Sequence, residues 1–255
     1  MRILMTGSSG FIGSALKKRL ELNNDVDTIK FEDFIDAYSH SHLRNTIKIL
    51  NPDVIYHLAA YGNHSHQDIE YKIIESNING TFDLLQALQD INYKAFYNFS
   101  SSSVTLETQT FYSASKKCAE LICNAYRTKY NKNIINIRPY SVFGEGEAKF
   151  RFIPTVIRCL LSGEEMQLDE NATHDWIYIN DFIDALLSGK TEIGTGIKRT
   201  NKEVVTMLEE ISGKKLNYKP AKLRAYDNDN WYCKKGVKHI PFKESLKNTF
   251  DYYAK

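Results

Sequence analysis

At 255 residues, with 33 basic against 31 acidic side chains and a formal net charge of +2, the chain can form one large core or a main domain with a smaller annex. It lacks the strong basic excess of a nucleic-acid reader, and no apolar run approaches the length of a membrane span. Cys118, Cys123, Cys159 and Cys233 show no zinc-type spacing and no Cys-x-x-Cys, so the expectation is no metal site and reduced thiols in a cytoplasmic protein.

The first apolar run, in Met1-Arg2-Ile3-Leu4-Met5-Thr6-Gly7, is too short for a signal-peptide core and reads as a strand at 2–6. Gly7, Gly10 and Gly13 follow at three-residue intervals and open a helix at 11–22. Glycines there permit a tight turn and a close backbone approach to a pyrophosphate, while the helix N-terminus offers unpaired N–H groups, so the turn is expected to bind a dinucleotide. A second strand at 26–31 ends in Lys30-Phe31-Glu32-Asp33. Glu32 suits the free ribose of NAD and Lys30 the extra phosphate of NADP, and both cofactors stay open.

Strands at 54–58, 95–100 and 134–138 then alternate with helices at 43–50, 68–89 and 112–130, a rhythm that predicts a parallel sheet covered by helices on both faces. Tyr112 and Lys116 lie one turn apart at the start of the last of these helices. Taken alone, Tyr-x-x-x-Lys arises often by chance. Pro139 and "FGEGEAKFRF" break the rhythm. Beyond them come a helix at 153–161, a strand at 176–179, a helix at 180–187, a turn at Gly194-Thr195-Gly196, and helices at 201–211 and 243–253. The expected fold is α/β: a Rossmann-type doubly wound parallel sheet over 1–143, also taking in about 174–196, with a smaller C-terminal substrate lobe over 144–255.

The glycine turn, "HLAA" at 57–60, "SNINGT" at 76–81, "SSSSV" at 100–104, "YSASK" at 112–116, "RPYSVFGEGE" at 138–147 and "HDWIYINDFIDAL" at 174–186 occur in one order. Through them nearly the whole chain resembles the extended short-chain dehydrogenases, within them the nucleotide-sugar epimerase, dehydratase and reductase group. The resemblance implies a catalytic triad of Ser101, Tyr112 and Lys116, with Ser102 the neighbouring candidate for the hydroxyl. Lysine's charge favours the tyrosine phenolate, and the serine orients the reacting sugar oxygen. For the cofactor, NAD or NADP, it implies Gly7, Ser9, Gly10, Phe11, Ile12, Gly13 and Glu32 on the adenosine side. Leu58, Ala59, Ala60, Ser100, Tyr112, Lys116 and Pro139 complete that set. For a nucleotide-diphosphate sugar it implies Ser101, Ser102, Tyr112, Ser141, Arg151, His174, Arg224 and Asp227, the last two as clamps for pyrophosphate and ribose. It also implies a homodimer packed through the helix carrying Tyr112 and its neighbour.

Several positions depart from the pattern. Sugar-nucleotide 4,6-dehydratases usually carry Asp and Glu after the triad hydroxyl, where this chain has Ser102 and Ser103. Without that acid and base, dehydration is not expected. Eleven positions separate Ser101 from Tyr112, a short connection. His174 stands where arginine is common and Ser141 where asparagine is common; Arg151 or Arg158 is the candidate to compensate. The expected activity is oxidation and reduction at C4 of a nucleotide-activated hexose, as a 4-epimerase or 4-ketoreductase. The alternative is a catalytically silent NAD(P)-binding sensor.

Overall fold

Ile3, Leu4 and Met5 are all buried, and so is every residue of Val54–His57, so these strands are covered on both faces. That is the condition of interior strands in a parallel sheet. The computed structural model describes residues 1–30, 39–64, 66–222 and 231–255. In it the chain divides into two compact units, Met1–Arg138 and Pro139–Lys255.

The first unit alternates strand and helix. Its strands are β1 (Arg2–Thr6), β2 (Asp25–Ile29), β3 (Val54–His57), β4 (Ala95–Phe99) and β5 (Ile134–Pro139). They pair in parallel in the order β2-β1-β3-β4-β5. The more exposed β2 takes the edge. Chain order reverses between β1 and β3, and the carboxyl ends of strands at such a switch point form the crevice where α/β sheets bind ligands. The helices are α1 (Phe11–Leu20), α2 (Ser39–Leu50), α3 (Glu70–Ile74), α4 (Gly80–Ala87) and α5 (Phe111–Tyr130). Leu4, Ile55 and Phe96 of the sheet pack with Leu43, Ile47, Leu84, Leu88 and Cys123 of the helices in one core cluster.

The helix predicted at 68–89 is broken into α3 and α4 by a π-helical turn over Glu75–Asn79. Such turns are frequent at functional sites. Here the turn carries Asn77, whose side chain is bonded outside the helix.

In the second unit, β6 (Ser141–Phe143), β7 (Met166–Leu168), β8 (Thr173–Tyr178), β9 (Glu192–Ile193), β10 (Lys198–Thr200) and β11 (Tyr218–Pro220) accompany α6 (Phe152–Ser162), α7 (Ile179–Leu187), α8 (Asn201–Ser212) and α9 (Phe242–Tyr253). β8 pairs antiparallel with β10 and parallel with β6, while β7 and β11 form a separate parallel pair. Apart from β8, these strands escape sequence reading because two or three residues show no usable alternation. Asp175 of β8 closes the predicted turn: its carboxylate accepts hydrogen bonds from Thr195 N–H and Oγ1 at 2.7 Å and from the Gly196 and Cys233 N–H groups at 2.9 Å. A Cβ on Gly194 would stand 2.6 Å from Asp175 Oδ2, so glycine is required for that approach.

No described helix is long and apolar enough to cross a membrane. All four cysteines are free, and no group of metal-ligating side chains occurs among the described residues.

Candidate active site

The glycine turn leaves β1 at Thr6 and enters α1 at Phe11. Gly7 has φ +68°, a conformation that favours glycine, and a Cβ there would lie 2.5 Å from Ala59 N. Gly13 is buried in α1, and a Cβ on it would overlap the Gly7 carbonyl oxygen. Gly10 and Ser9 are exposed at the mouth of the turn. The first turn of α1 carries no acidic residue and no side-chain cap, leaving its N–H groups available to an anion. The turn is thus shaped as a dinucleotide's pyrophosphate requires.

Beneath it a directional hydrogen-bond chain crosses the sheet. Thr81 Oγ1 spends its single proton on the Asn77 carbonyl at 2.8 Å, so toward His57 Nε2, 3.0 Å away, it accepts. His57 therefore carries its proton on Nε2, and Nδ1 accepts from Thr6 Oγ1 at 2.7 Å. Thr6 Oγ1 in turn accepts the Ala59 N–H at 3.2 Å. Burial and the charge of Lys116 hold the His57 pKa down to about 3, which keeps the ring neutral and the chain directional. Asn77 extends the path: its amide bonds both Tyr61 N–H and Tyr61 C=O, and Nδ2 donates to Ser115 Oγ at 2.9 Å. Ser115 Oγ donates to the Tyr112 carbonyl at 2.8 Å.

α5 begins with a capping box, Thr110 Oγ1 accepting from Ser113 N–H while Ser113 Oγ accepts from Thr110 N–H. That fixes the first turn, where half-buried Tyr112 sits. Lys116 and Glu120 follow at four-residue steps, both buried. Glu120 receives Arg138 as a bidentate partner, at 2.8 Å from Nε and 2.6 Å from Nη2. Burial works against the Glu120 carboxylate, but Arg138 outweighs it and the pKa lies below the usual range. Lys116, by contrast, makes no hydrogen bond or ion pair among the described residues, and burial lowers its pKa to about 8. A buried ammonium lacking acceptors fits a cofactor hydroxyl in that place.

Ser101 caps a 3-10 turn over Ser102–Thr105. Its half-exposed hydroxyl accepts from Ser103 N–H at 3.2 Å and shares a 2.8 Å hydrogen bond with Ser103 Oγ. When Ser103 is the donor, the Ser101 proton is left for an outside oxygen. Ser102 is 2% exposed, Ser100 is buried and Leu58, Ala59 and Ala60 follow β3 beside the glycine turn.

In the second unit Ser141 Oγ lies 2.9 Å from His174 Nδ1. Arg151, at the N-cap of α6, pairs with Glu147 at 3.4 Å, and Arg158 pairs with Glu164. Glu32, Arg224 and Asp227 lie outside the described residues.

Comparison with known proteins shows the family and the fold. The family model described as the NAD dependent epimerase/dehydratase family matches residues 3–192. The chain belongs to that family. An uncharacterized UDP-glucose epimerase, YtcB, of Bacillus subtilis is 26% identical over 268 residues, covering 84% of this chain and 83% of that protein. A dTDP-glucose 4,6-dehydratase of Haemophilus influenzae is 25% identical, covering 86% and 82%. Among solved structures, a UDP-glucuronic acid 4-epimerase from Bacillus cereus, in complex with UDP-glucuronic acid and NAD, superposes with TM-score 0.83 at 23% identity over 100% of this chain and 99% of that one. That likeness establishes the Rossmann-type α/β fold.

The epimerase/dehydratase match ends at 192, before β10, α8, β11 and α9. Sequence reading missed the roles of Thr6, Thr81 and Ser115, whose only signal is a hydroxyl at each strand end or helix turn.

Proposed function

We propose that the protein is an NAD(P)-dependent oxidoreductase acting at C4 of the hexose in a nucleotide-activated sugar, as a 4-epimerase or 4-ketoreductase. The observation that carries this reading is Lys116, a buried ammonium one helical turn beyond Tyr112 that feels the Glu120 charge but makes no hydrogen bond or ion pair among the described residues. A bound nicotinamide dinucleotide supplies the hydride exchanged at the sugar carbon. Gly7, Gly10 and Gly13 would hold its pyrophosphate and Lys116 its ribose, with Glu32 or Lys30 deciding between NAD and NADP.

Tyr112 takes the C4 hydroxyl proton on oxidation and returns it on reduction. Its phenol, ordinarily near pKa ~10, needs roughly 4 kcal/mol of help to act as a base at neutral pH. The Lys116 charge contributes by favouring phenolate. Ser101 donates to the reacting oxygen and orients it. Arg224 and Asp227 hold the diphosphate and ribose of the substrate. Elimination of water is not part of the reaction, because Ser102 and Ser103 offer no carboxylates there.

The test is a panel of nucleotide sugars with both cofactors. Interconversion of C4 epimers without added reductant identifies an epimerase; stoichiometric NAD(P)H loss with a 4-keto sugar identifies a reductase. A product lighter by one water restores the dehydratase reading, and cofactor binding without turnover supports the sensor. Tyr112→Phe should lower turnover roughly 10²–10⁴-fold with cofactor binding retained; unchanged turnover overturns the mechanism.

A further inference from the structure

The second unit gathers buried hydrogen-bond donors that have no acceptor among the described residues. His174 and Trp176 lie two apart on β8, Ser141 of β6 is in register with Trp176, and Arg199 of β10 is directly opposite His174. Alternation places His174 and Trp176 on one face, and directly opposed residues of an antiparallel ladder share a face with Cβ atoms about 5 Å apart. Ring contacts draw in Trp231: the His174 centroid is 4.6 Å from Trp176 and 6.1 Å from Trp231. Trp176 Nε1, Trp231 Nε1 and Arg199 Nη1 are all buried without a hydrogen-bond partner among the described residues, and Trp176 as a whole is 4% exposed.

The carboxylates that act electrostatically on Arg199 are engaged elsewhere. Asp175 is committed to the Thr195, Gly196 and Cys233 N–H groups, and Glu203 Oε2 to Thr200 N–H at 2.6 Å and Oγ1 at 3.0 Å. The Arg199 guanidinium instead packs over the Phe242 ring at 4.2 Å. Burial lowers its pKa without removing its charge. A buried N–H without an acceptor is costly, and three in one neighbourhood, one of them cationic, mark a place where an anion belongs. Arg151 and Arg158, the cations expected to compensate for His174, already hold Glu147 and Glu164.

We propose that Arg199, with the indole N–H groups of Trp176 and Trp231, forms an anion subsite for the diphosphate of the nucleotide-sugar substrate. The assignment rests on the nucleotide-sugar reading above. Arg199 supplies from β10 the cation that position 174 lacks, and its planar fork matches phosphate oxygens as a lysine would not.

The chain's two tryptophans are both in this cluster, so intrinsic fluorescence reports on it directly. Full-length protein is titrated with inorganic pyrophosphate, with UDP, dTDP, GDP and CDP, and with uridine as the uncharged control. Pyrophosphate and at least one nucleoside diphosphate should change the emission saturably, and uridine should not. Arg199→Leu should weaken each of those affinities at least ~10-fold and Arg199→Lys less, with a melting temperature no lower than wild type and NAD⁺ binding unchanged. Should Arg199→Leu fail to fold, Arg199→Lys and the salt dependence of wild-type binding decide. A lysine variant equal to wild type together with salt-independent affinity overturns the subsite. So do a silent wild-type titration, an Arg199→Leu affinity within twofold of wild type, or uridine binding as tightly as UDP. The two readings fail separately: Arg199-dependent diphosphate binding without turnover on any sugar sinks the enzymatic reading alone, whereas wild-type turnover and KM in Arg199→Leu sink only the subsite.

Discussion

Lys116 is enclosed to 3% exposure, and burial draws its pKa from an ordinary 10.5 to about 8. In the unfolded chain the amine keeps its proton up to the ordinary value, so between pH 8 and 10.5 the unfolded state binds more protons than the folded one. Stability contributed at this position therefore rises with pH across that window, and below pH 8 the full penalty, up to ~3 kcal/mol, is present. Lys116→Met is expected to unfold at higher denaturant than wild type at pH 7 when no cofactor is added, and to lose the rise between pH 8 and 10.5. Urea titrations of both proteins at pH 7, 8.5 and 10 measure it; a variant less stable than wild type at pH 7 contradicts the account. Burial first, and the charge of the same lysine second, keep His57 neutral. His57 answers by hydrogen bonding through both ring nitrogens to hydroxyls whose protons are already directed.

Elements carry these side chains only because their ends are fixed. The glycine turn, the capping box of α5 and the π-helical turn each set a backbone position that a side chain then uses. The entry to α6 is built differently, around a carboxyl. Glu147 is 5% exposed, one of its oxygens has no partner, and its carbonyl accepts the Tyr253 hydroxyl from α9. Burial lifts its pKa to about 7 even though Arg151 beside it pulls the other way. With a folded pKa above the unfolded one, the contribution to stability is complete below about pH 4.5 and is lost as pH rises through about 7. Glu147→Gln should abolish that decline and leave the protein more stable than wild type at pH 8, by up to ~3 kcal/mol. Melting curves at pH 5 and pH 8 check the sign: wild type should lose more between them than the glutamine variant does.

For the molecule as a whole, what the sequence disclosed and what it withheld divide along one line. Gly7, Gly10 and Gly13, and Tyr112 with Lys116, are local spacings that a tight turn or one helical turn realises, so their geometry is legible in the sequence, while the pairing of Tyr112 with Lys116 as a site comes from the family resemblance. The His57 chain joins residues 6, 57, 81, 77 and 115, and Arg199 meets His174 only through the β8–β10 register, so both depend on pairings between distant segments. Quaternary structure lies on the same boundary. We propose that α5 and its neighbour α4 form a homodimer interface, because each presents a large apolar side chain to solvent: Phe82 at 43% and Leu121 at 62% exposure, with Phe111 at 54% where α5 begins. A stable interface of standard size buries about 1,600 Å² in total and is centred on such side chains. Sedimentation equilibrium should therefore return twice the chain mass, and Phe82→Glu with Leu121→Glu should return the single mass with its circular dichroism unchanged. A wild-type protein monomeric at high micromolar concentration, or a double variant still dimeric, removes these helices from the interface, and the exposed apolar side chains then need another explanation.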